Sequence, residues 1–493
     1  MASSISMIFI DVTVLPVALP TIQRNLDFTE LGLQWLINVY TLILAVFVIA
    51  GGKLGDRIGR RNVFCSGLLL FSLGSILCGL SIHELWFILS RIVQGAGGAL
   101  LIPTAATILF NAFPPKGRGK AMGLYVSIGA VFLALGPFIG GVCTQYLSWR
   151  FVFWINIPIA IIGFWLTMLV VKKDKGEPIP FDLIGFFTST LGISAIIISI
   201  MQSVQWGWTS PLTLALLSFG IIAMALLWTF DHKIKHPYIP FSFFKNRIFL
   251  GAVIAIFITQ FLLMVTVFWA RFFQDVYHLS PSQAGLLSLV SNLPIILAAP
   301  IGGHLFDKHG PRVPIGVGFL MIAGSLFWFV QILDTMSIPL VLSAIIPFGM
   351  GIPLVLTPSY TTSMAEVTAE KRGTASGLSN MVRQLGATLG MAVIGSVFAS
   401  MNFNLFSIDL KKNLDTATAD PNEFDGLLSK VPEAVEALNK LPPESQTFVE
   451  KVALNSYFDA FTSINIVAML AAVVGLFLSF WLIKVKKQPE IQM

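Results

Sequence analysis

Three charged side chains stand inside otherwise apolar runs of this chain. Asp11 interrupts MIFIDVTVLPVALP (7–20), Arg91 interrupts LSRIVQGAGGA (89–99), and Arg383 interrupts NMVRQLGATLG (380–390). A carboxylate at the middle of a bilayer costs about 2.5–3.5 kcal/mol on insertion scales, so it must face a cavity, find a partner or bind a proton. Desolvation strengthens proton binding by such a group and a neighbouring cation weakens it, so a changing environment can load and unload it. Of the 25 acids, Asp11 alone falls in the interior of an apolar segment, and none of the six histidines does. If a proton is carried through the membrane, elimination assigns it to Asp11; a structural salt bridge is the other role open to this residue. Gln94, Gly95 and Gly98 follow Arg91 at +3, +4 and +7, on one helix face. At 1.5 Å per residue Arg91 lies roughly 8 Å below the outer surface, with Asp11 near mid-depth, an offset comparable to the reach of an arginine. Arg91 is either the partner of Asp11 or a fixed structural cation.

The elements that must hold these groups follow from composition. The chain has 493 residues, 55% hydrophobic and 11% charged, with a mean hydropathy of +0.82. A soluble domain carries about 25% charged residues, so this chain cannot cover a comparable surface against water. Segments of about 20 apolar residues, each long enough to cross a ~30 Å hydrocarbon core, recur throughout. Fourteen are expected: 2–22, 32–52, 62–82, 86–109, 121–142, 151–171, 182–202, 211–230, 248–272, 282–302, 314–333, 337–360, 374–400 and 458–483. The first lacks a basic flank and contains Asp11, so no cleaved leader is expected. Cys65, Cys78 and Cys143 lie in or beside apolar runs and suggest neither a disulfide framework nor a metal site. With the N-terminus inside, the inner loops hold 21 Lys and Arg, while the short outer loops hold only Arg24 and Arg150. That bias places both termini in the cytoplasm.

The chain repeats itself. GGKLGDRIGRR (51–61) matches GGHLFDKHGPR (302–312), and RGKAMGL (118–124) matches RGTASGL (372–378). The two matches fall after segments 2 and 10 and after segments 4 and 12. Residues 1–171 and 248–493 are therefore expected to form two copies of a six-helix bundle, with 172–247 a linker carrying two inserted helices. Parallel repeats of this kind rock against each other around a midplane site in transporters.

GGKLGDRIGRR resembles the loop signature of the major facilitator superfamily. LSRIVQGAGGA, LGPFIGG (135–141) and IDVTVLPVALP (10–20) resemble signatures of its fourteen-helix drug:proton antiporter branch. The resemblance covers essentially the whole chain and implies an all-α polytopic membrane protein with the major facilitator fold. It implies a proton-coupling role for Asp11 and Arg91, and an antiport motif in Gly129, Gly136, Pro137, Gly140 and Gly141. It also implies a cytoplasmic latch of Gly52, Asp56, Arg57, Gly59, Arg60 and Arg61. In the second copy Phe306 replaces Gly55 and Pro311 replaces Arg60, so one latch is expected rather than two. Only ten residues precede Asp11, a shorter lead than the resemblance implies.

Pro137 removes a backbone donor and bends a helix, while Gly129, Gly136 and Gly140 share a face that lets helices slide. Trp35, Asn38, Tyr40, Gln94, Gln260, Asn292, Arg383 and Gln384 are candidates for lining the transport pathway; ordinary packing is the other role open to most of them. Arg383 either lines the cavity or bonds to nearby carbonyls. The outer loop 402–457, with nine acids and five lysines, is expected to form short amphipathic helices that cap the outer face.

The reading is a proton-coupled antiporter in the inner membrane that exports amphipathic small molecules by alternating access. Export of one endogenous metabolite or lipid, and uptake by proton symport, are the competing readings. No cofactor is expected. No Walker sequence appears, and a proton falling through ~150 mV supplies roughly 3.5 kcal/mol, several hundredfold in concentration. One interior acid against two interior arginines favours lipophilic monocations or neutral amphiphiles as substrates. Protons, lipid and a small molecule are the expected partners, with no nucleic acid. The chain is expected to be a monomer, with room for a periplasmic adaptor, and an enzyme is excluded by the lack of acidic or His/Cys clusters at the membrane surface.

Overall fold

The computed structural model describes every residue except 27, 178–179, 232, 280, 336, 414–420, 425–426, 429–430 and 484–493, and the described residues form helices and no strand. Apolar runs this long must satisfy every backbone group within the segment, and a helix does so. In chain order the helices are α1 (Ala2–Leu26), α2 (Glu30–Ile58), α3 (Arg60–Gly79), α4 (Glu84–Ala112), α5 (Arg118–Val142), α6 (Phe151–Trp154) and α7 (Asn156–Val170). Then come α8 (Leu183–Trp206), α9 (Pro211–Asp231), α10 (Arg247–Leu263), α11 (Val265–Asp275), α12 (Pro281–His309) and α13 (Arg312–Ile332). The last are α14 (Ile338–Ala365), α15 (Arg372–Asn413), α16 (Pro432–Asn439) and α17 (Pro443–Leu482). Thirteen stretches among the described residues are long and apolar enough to cross a membrane. The tenth expected segment, 282–302, falls within the 29-residue α12.

The surface is inverted relative to a soluble protein. Leu169 and Ile184 are each 79% exposed, while Ser75, Thr107, Ser359 and Thr361 are fully buried. Lipid takes up the large apolar side chains, and small residues at helix contacts let backbones approach. α1 packs on α5, α2 on α4, and α3 on α4; α12 packs on α14, α13 on α14 and α17, and α10 on α15. Two seams join the groups: α2 against α15, and α5 against α12.

The hairpin α8–α9 lies against the α2–α15 seam. Ile193 and Ile197 of α8 share a core with Val46 and Ile49 of α2 and with Leu378 and Met381 of α15. At one end Gln205 donates to Gln34 at 3.1 Å, and Trp208 donates to Ser396 at 2.8 Å, so the hairpin touches both sides of the seam.

The ninth expected segment lies within one span, Arg247–Asp275, with a tight turn at Met264, whose N–H bonds the Phe261 carbonyl three residues back, between α10 and α11. One expectation is corrected. The outer loop is mostly an extension of its flanking spans. α15 runs 42 residues and α17 runs 40, each about 60 Å at 1.5 Å per residue, twice the hydrocarbon thickness. Beyond the membrane they pack Phe406, Leu410, Val449 and Val452 around the short α16 through Ala434 and Leu438. The polar composition there concealed a helix pair with a small core of its own.

Candidate functional site

Asp11, on α1, is 1% exposed, as is Arg91 on α4. Arg91 Nη1 donates to Asp11 Oδ2 at 2.6 Å and to Gln94 Oε1 at 2.6 Å. Gln94 Nε2 donates to Asp11 Oδ1 at 2.8 Å and contacts Ser75 Oγ at 2.9 Å. Arg91 Nε donates to the Leu36 carbonyl of α2, and the guanidinium lies 4.2 Å from the centre of the Tyr40 ring. Both carboxylate oxygens of Asp11 therefore have a donor, and the arginine is held on two further sides. In low dielectric such a pair persists only where these extra bonds offset desolvation.

Close packing sets this geometry. A Cβ on Gly74 of α3 would collide with the backbone of Gln94, and one on Gly97 of α4 would collide with Phe71. Glycines at the α3–α4 contact thus bring Ser75 to Gln94. On the other side, Gly136 of α5 faces Thr13, Gly129 faces Phe9 and Ile5, and Gly140 faces Val14, all on α1. The glycines of the expected antiport motif seat α5 against the helix that carries Asp11. Gly141 has nothing near it, and Pro137 is exposed on the opposite face of α5.

Ser75 and Asn156 belong to this network and were missed in the sequence. Asn156 Nδ2 lies 3.5 Å from Ser75 Oγ, is fully buried, and its Oδ1 has no partner. The signal was an asparagine within FVFWINIPIAII (151–162), but such residues are common enough in membrane helices to pass unremarked.

At the end of the bundle rich in Lys and Arg, Asp56 at the close of α2 meets the start of α15. Its Oδ1 accepts from Gly373 N at 3.0 Å, and its Oδ2 from Thr374 N at 2.7 Å and Thr374 Oγ1 at 2.9 Å. Arg60 pairs with Asp56 at 2.9 Å and donates to the Ala369 carbonyl. A carboxylate at a helix N-terminus caps free N–H groups and meets the positive end of the helix dipole. A Cβ on Gly52 would strike the Gly373 carbonyl, so α2 and α15 touch backbone to backbone. Gly59 turns the chain between α2 and α3 at φ 97°, a left-handed conformation that glycine tolerates. Arg61 donates to the Met168 carbonyl, and Arg57 is exposed.

The second copy makes the matching contact despite its altered positions. Asp307, at the end of α12, accepts from Gly119 N at 2.9 Å and Lys120 N at 3.0 Å, at the start of α5. Gly119 and Gly303 also meet backbone to backbone. Only the acid and the glycines make the contact, and the repeat keeps both; the altered positions 306 and 311 lie beside it. Each copy caps a helix of the other.

Among the pathway candidates, Arg383 sits on α15 about 16 Å from the helix start at 1.5 Å per residue, and it is half-buried. The Tyr360 hydroxyl donates to Asn380 Oδ1 at 3.2 Å. Asn380 and Arg383 lie one turn apart on α15, and Asn380 ties that helix to α14. Tyr40 is buried; Asn38, Gln384 and Gln260 are half-buried on α2, α15 and α10. Trp35 packs against the apolar core at the α2–α8–α15 seam. The side chain of Asn292 lies outside the described residues.

A multi-pass bundle of two cross-capped copies, with a buried ion pair in one, is the architecture of a membrane transporter. The chain belongs to the Major Facilitator Superfamily, whose pattern matches residues 1–391. It is similar to the multidrug resistance protein Stp of Mycobacterium tuberculosis, 33% identical over 84% of this chain and 77% of that protein. It is also similar to the tetracenomycin C resistance and export protein of Streptomyces glaucescens, 29% identical over 97% and 90% of the two chains. Its fold resembles the crystal structure of the human organic anion transporter MFSD10, with a TM-score of 0.60 at 12% identity over 97% and 98% of the chains.

Proposed function

We propose that this transporter is a proton-coupled antiporter that exports amphipathic small molecules across the cytoplasmic membrane, with the Lys- and Arg-rich end in the cytoplasm. The observation that carries this is the Asp11–Arg91–Gln94 cluster, a carboxylate sealed in the bundle with its charge matched by one arginine. Protonation of Asp11 would cancel its attraction to Arg91; separation of the pair would in turn favour proton uptake. Either change alters how α1 and α4 meet, and α1 is seated on the glycines of α5, which starts at the Asp307 latch. Proton binding and the latches thereby act on one connected set of helices. On this reading the two closed contacts correspond to the state with the cytoplasmic end shut. Efflux relatives support small-molecule export as the task.

The test uses purified protein in liposomes with an acidic lumen and a neutral fluorescent amphiphile added outside. Antiport predicts dye accumulation with simultaneous acidification of the medium as protons leave. Symport predicts dye and protons moving in the same direction, and uncoupled transport predicts no proton signal; either outcome refutes the proposal.

A further inference from the structure

The Gln94 amide is engaged at both ends. Its Oε1 accepts from Arg91 Nη1 at 2.6 Å and faces Cys78 Sγ at 3.8 Å, while its Nε2 donates to Asp11 Oδ1 at 2.8 Å and to Ser75 Oγ at 2.9 Å. The way this amide faces decides whether Asp11 meets a donor or an acceptor, and the Ser75 hydroxyl suits either orientation. Beyond Ser75 stands Asn156, fully buried, with Nδ2 3.5 Å from Ser75 Oγ and Oδ1 without a partner among the described residues. Ser75 Oγ is thus faced by an NH2 group from both sides. A half-turn of the Asn156 amide brings Oδ1 there instead, to accept the Ser75 O–H. Local sequence places Asn156 at this spot. Pro158 has no N–H for the Trp154 carbonyl, and the helix breaks at Ile155, between α6 and α7. The break sets the Phe153 ring centre 6.0 Å from the Arg91 guanidinium and brings Asn156 to Ser75.

We propose that Asn156 is a positioning residue for the proton site: through Ser75 it holds the Gln94 amide with its nitrogen toward Asp11. This rests on the proton-coupling reading above. With Asp11 ionised the chain of bonds runs one way: Gln94 donates to Asp11 and to Ser75, and Ser75 donates to Asn156 Oδ1. A proton on Asp11 Oδ1 turns that oxygen into a donor. Gln94 then answers with Oε1, Ser75 turns its O–H toward Gln94, and the Ser75 oxygen accepts from Asn156 Nδ2. Each of the three groups donates or accepts, so the chain reverses without a new contact. Arg91 Nη1 loses the Gln94 oxygen in the same move. Sliding of α7 along α3 would part Asn156 from Ser75 and weaken the hold on the ionised form, which favours proton uptake. The titratable groups around this cluster are Arg91 of α4, Tyr40 of α2 and Cys78 of α3. Tyr125 of α5 and Cys143 just beyond it pack in the cores around Met7 and Val14. α6 and α7 approach with Phe153 and Asn156, neither of which titrates.

The experiment is an infrared difference titration of the full-length protein in nanodiscs, with no gradient or substrate. It follows the protonated-carboxyl stretch that disappears in Asp11→Asn, and the readout is the pH at which half of that band is lost. Asn156→Leu, of similar size without polar atoms, and Ser75→Ala are each expected to raise this midpoint. The expected rise is about 0.5–1 pH unit, roughly threefold to tenfold in proton concentration, the size of one hydrogen bond to the ionised form. The double variant is expected to move no further than the larger single one, because both cut the same chain. A purely structural loss lowers thermal stability and leaves the titration where it was. An unmoved or lowered midpoint in either variant overturns the proposal, and so do shifts that add in the double variant. Ser75→Ala removes one atom and decides the matter if Asn156→Leu does not fold. Shifts of the expected size in a protein whose dye export ignores the pH gradient leave Asn156 in its role and refute proton coupling. A wild-type band that never titrates refutes both.

Discussion

Replacing Asp56 by asparagine tests the cross-capping of the two copies. Asp56 holds the start of α15 through three hydrogen bonds, and it pairs with Arg60. Asparagine keeps one acceptor oxygen and turns an NH2 group toward N–H donors, so at least one of the two inter-copy oxygen contacts is lost, together with the charge at the helix end. A bond to a charged group contributes about 1.5–3 kcal/mol and the dipole interaction about 1. With part of the asparagine contact retained, the shut state loses roughly 2–3 kcal/mol relative to the open one, a shift of about 30- to 150-fold. If the open state is about 1% populated in the wild type, within the usual range for a minor conformer, it rises to roughly 20–60%. Spin labels at Asn62 and His309, both exposed near the basic end, report the separation by electron–electron resonance. Wild-type protein should give one short distance, and Asp56→Asn should add a longer population of that size. A distribution identical to wild type would refute the latch argument.

Three further outcomes follow from the same contacts. Asp307→Asn should open the same pair of labels by a smaller factor, about tenfold, because Asp307 accepts two bonds from the other copy where Asp56 accepts three; no change would mean that only one latch works. Gly136→Val should push Thr13 and α1 away from α5, an overpacking cost of about 1–3 kcal/mol, and cut dye export at least tenfold with normal membrane insertion. Gln94→Ala leaves Asp11 Oδ1 without its donor and should destabilise the protein by about 1–3 kcal/mol, read from thermal unfolding in detergent.

Legibility in the sequence tracked the cost of placing a group in the bilayer. Asp11 and Arg91 stood out because a charge in an apolar run is expensive, and the structure pairs them. Ser75 and Asn156 complete the same network but cost little, so nothing marked them. The repeat was visible in GGKLGDRIGRR and GGHLFDKHGPR, yet the changes at positions 306 and 311 hid the contact made by Asp307, which they only flank. The far ends of α15 and α17 read as loop because, outside lipid, a helix needs no unbroken apolar run; one stripe such as Phe406 and Leu410 suffices. That the Tyr40 ring lies over the Arg91 guanidinium depends on a contact between distant helices and left no trace in local pattern.

The central claim is that Asp11 is the proton site that powers export. Dye accumulation in inverted membrane vesicles with an imposed pH gradient, comparing wild type with Asp11→Asn, tests it most directly. Asparagine still offers an oxygen to Arg91, so exchange of labelled substrate across the membrane without net proton movement should persist and show that the protein is folded. The account predicts that gradient-driven accumulation disappears while this exchange remains. Accumulation at the wild-type rate in Asp11→Asn vesicles would contradict it.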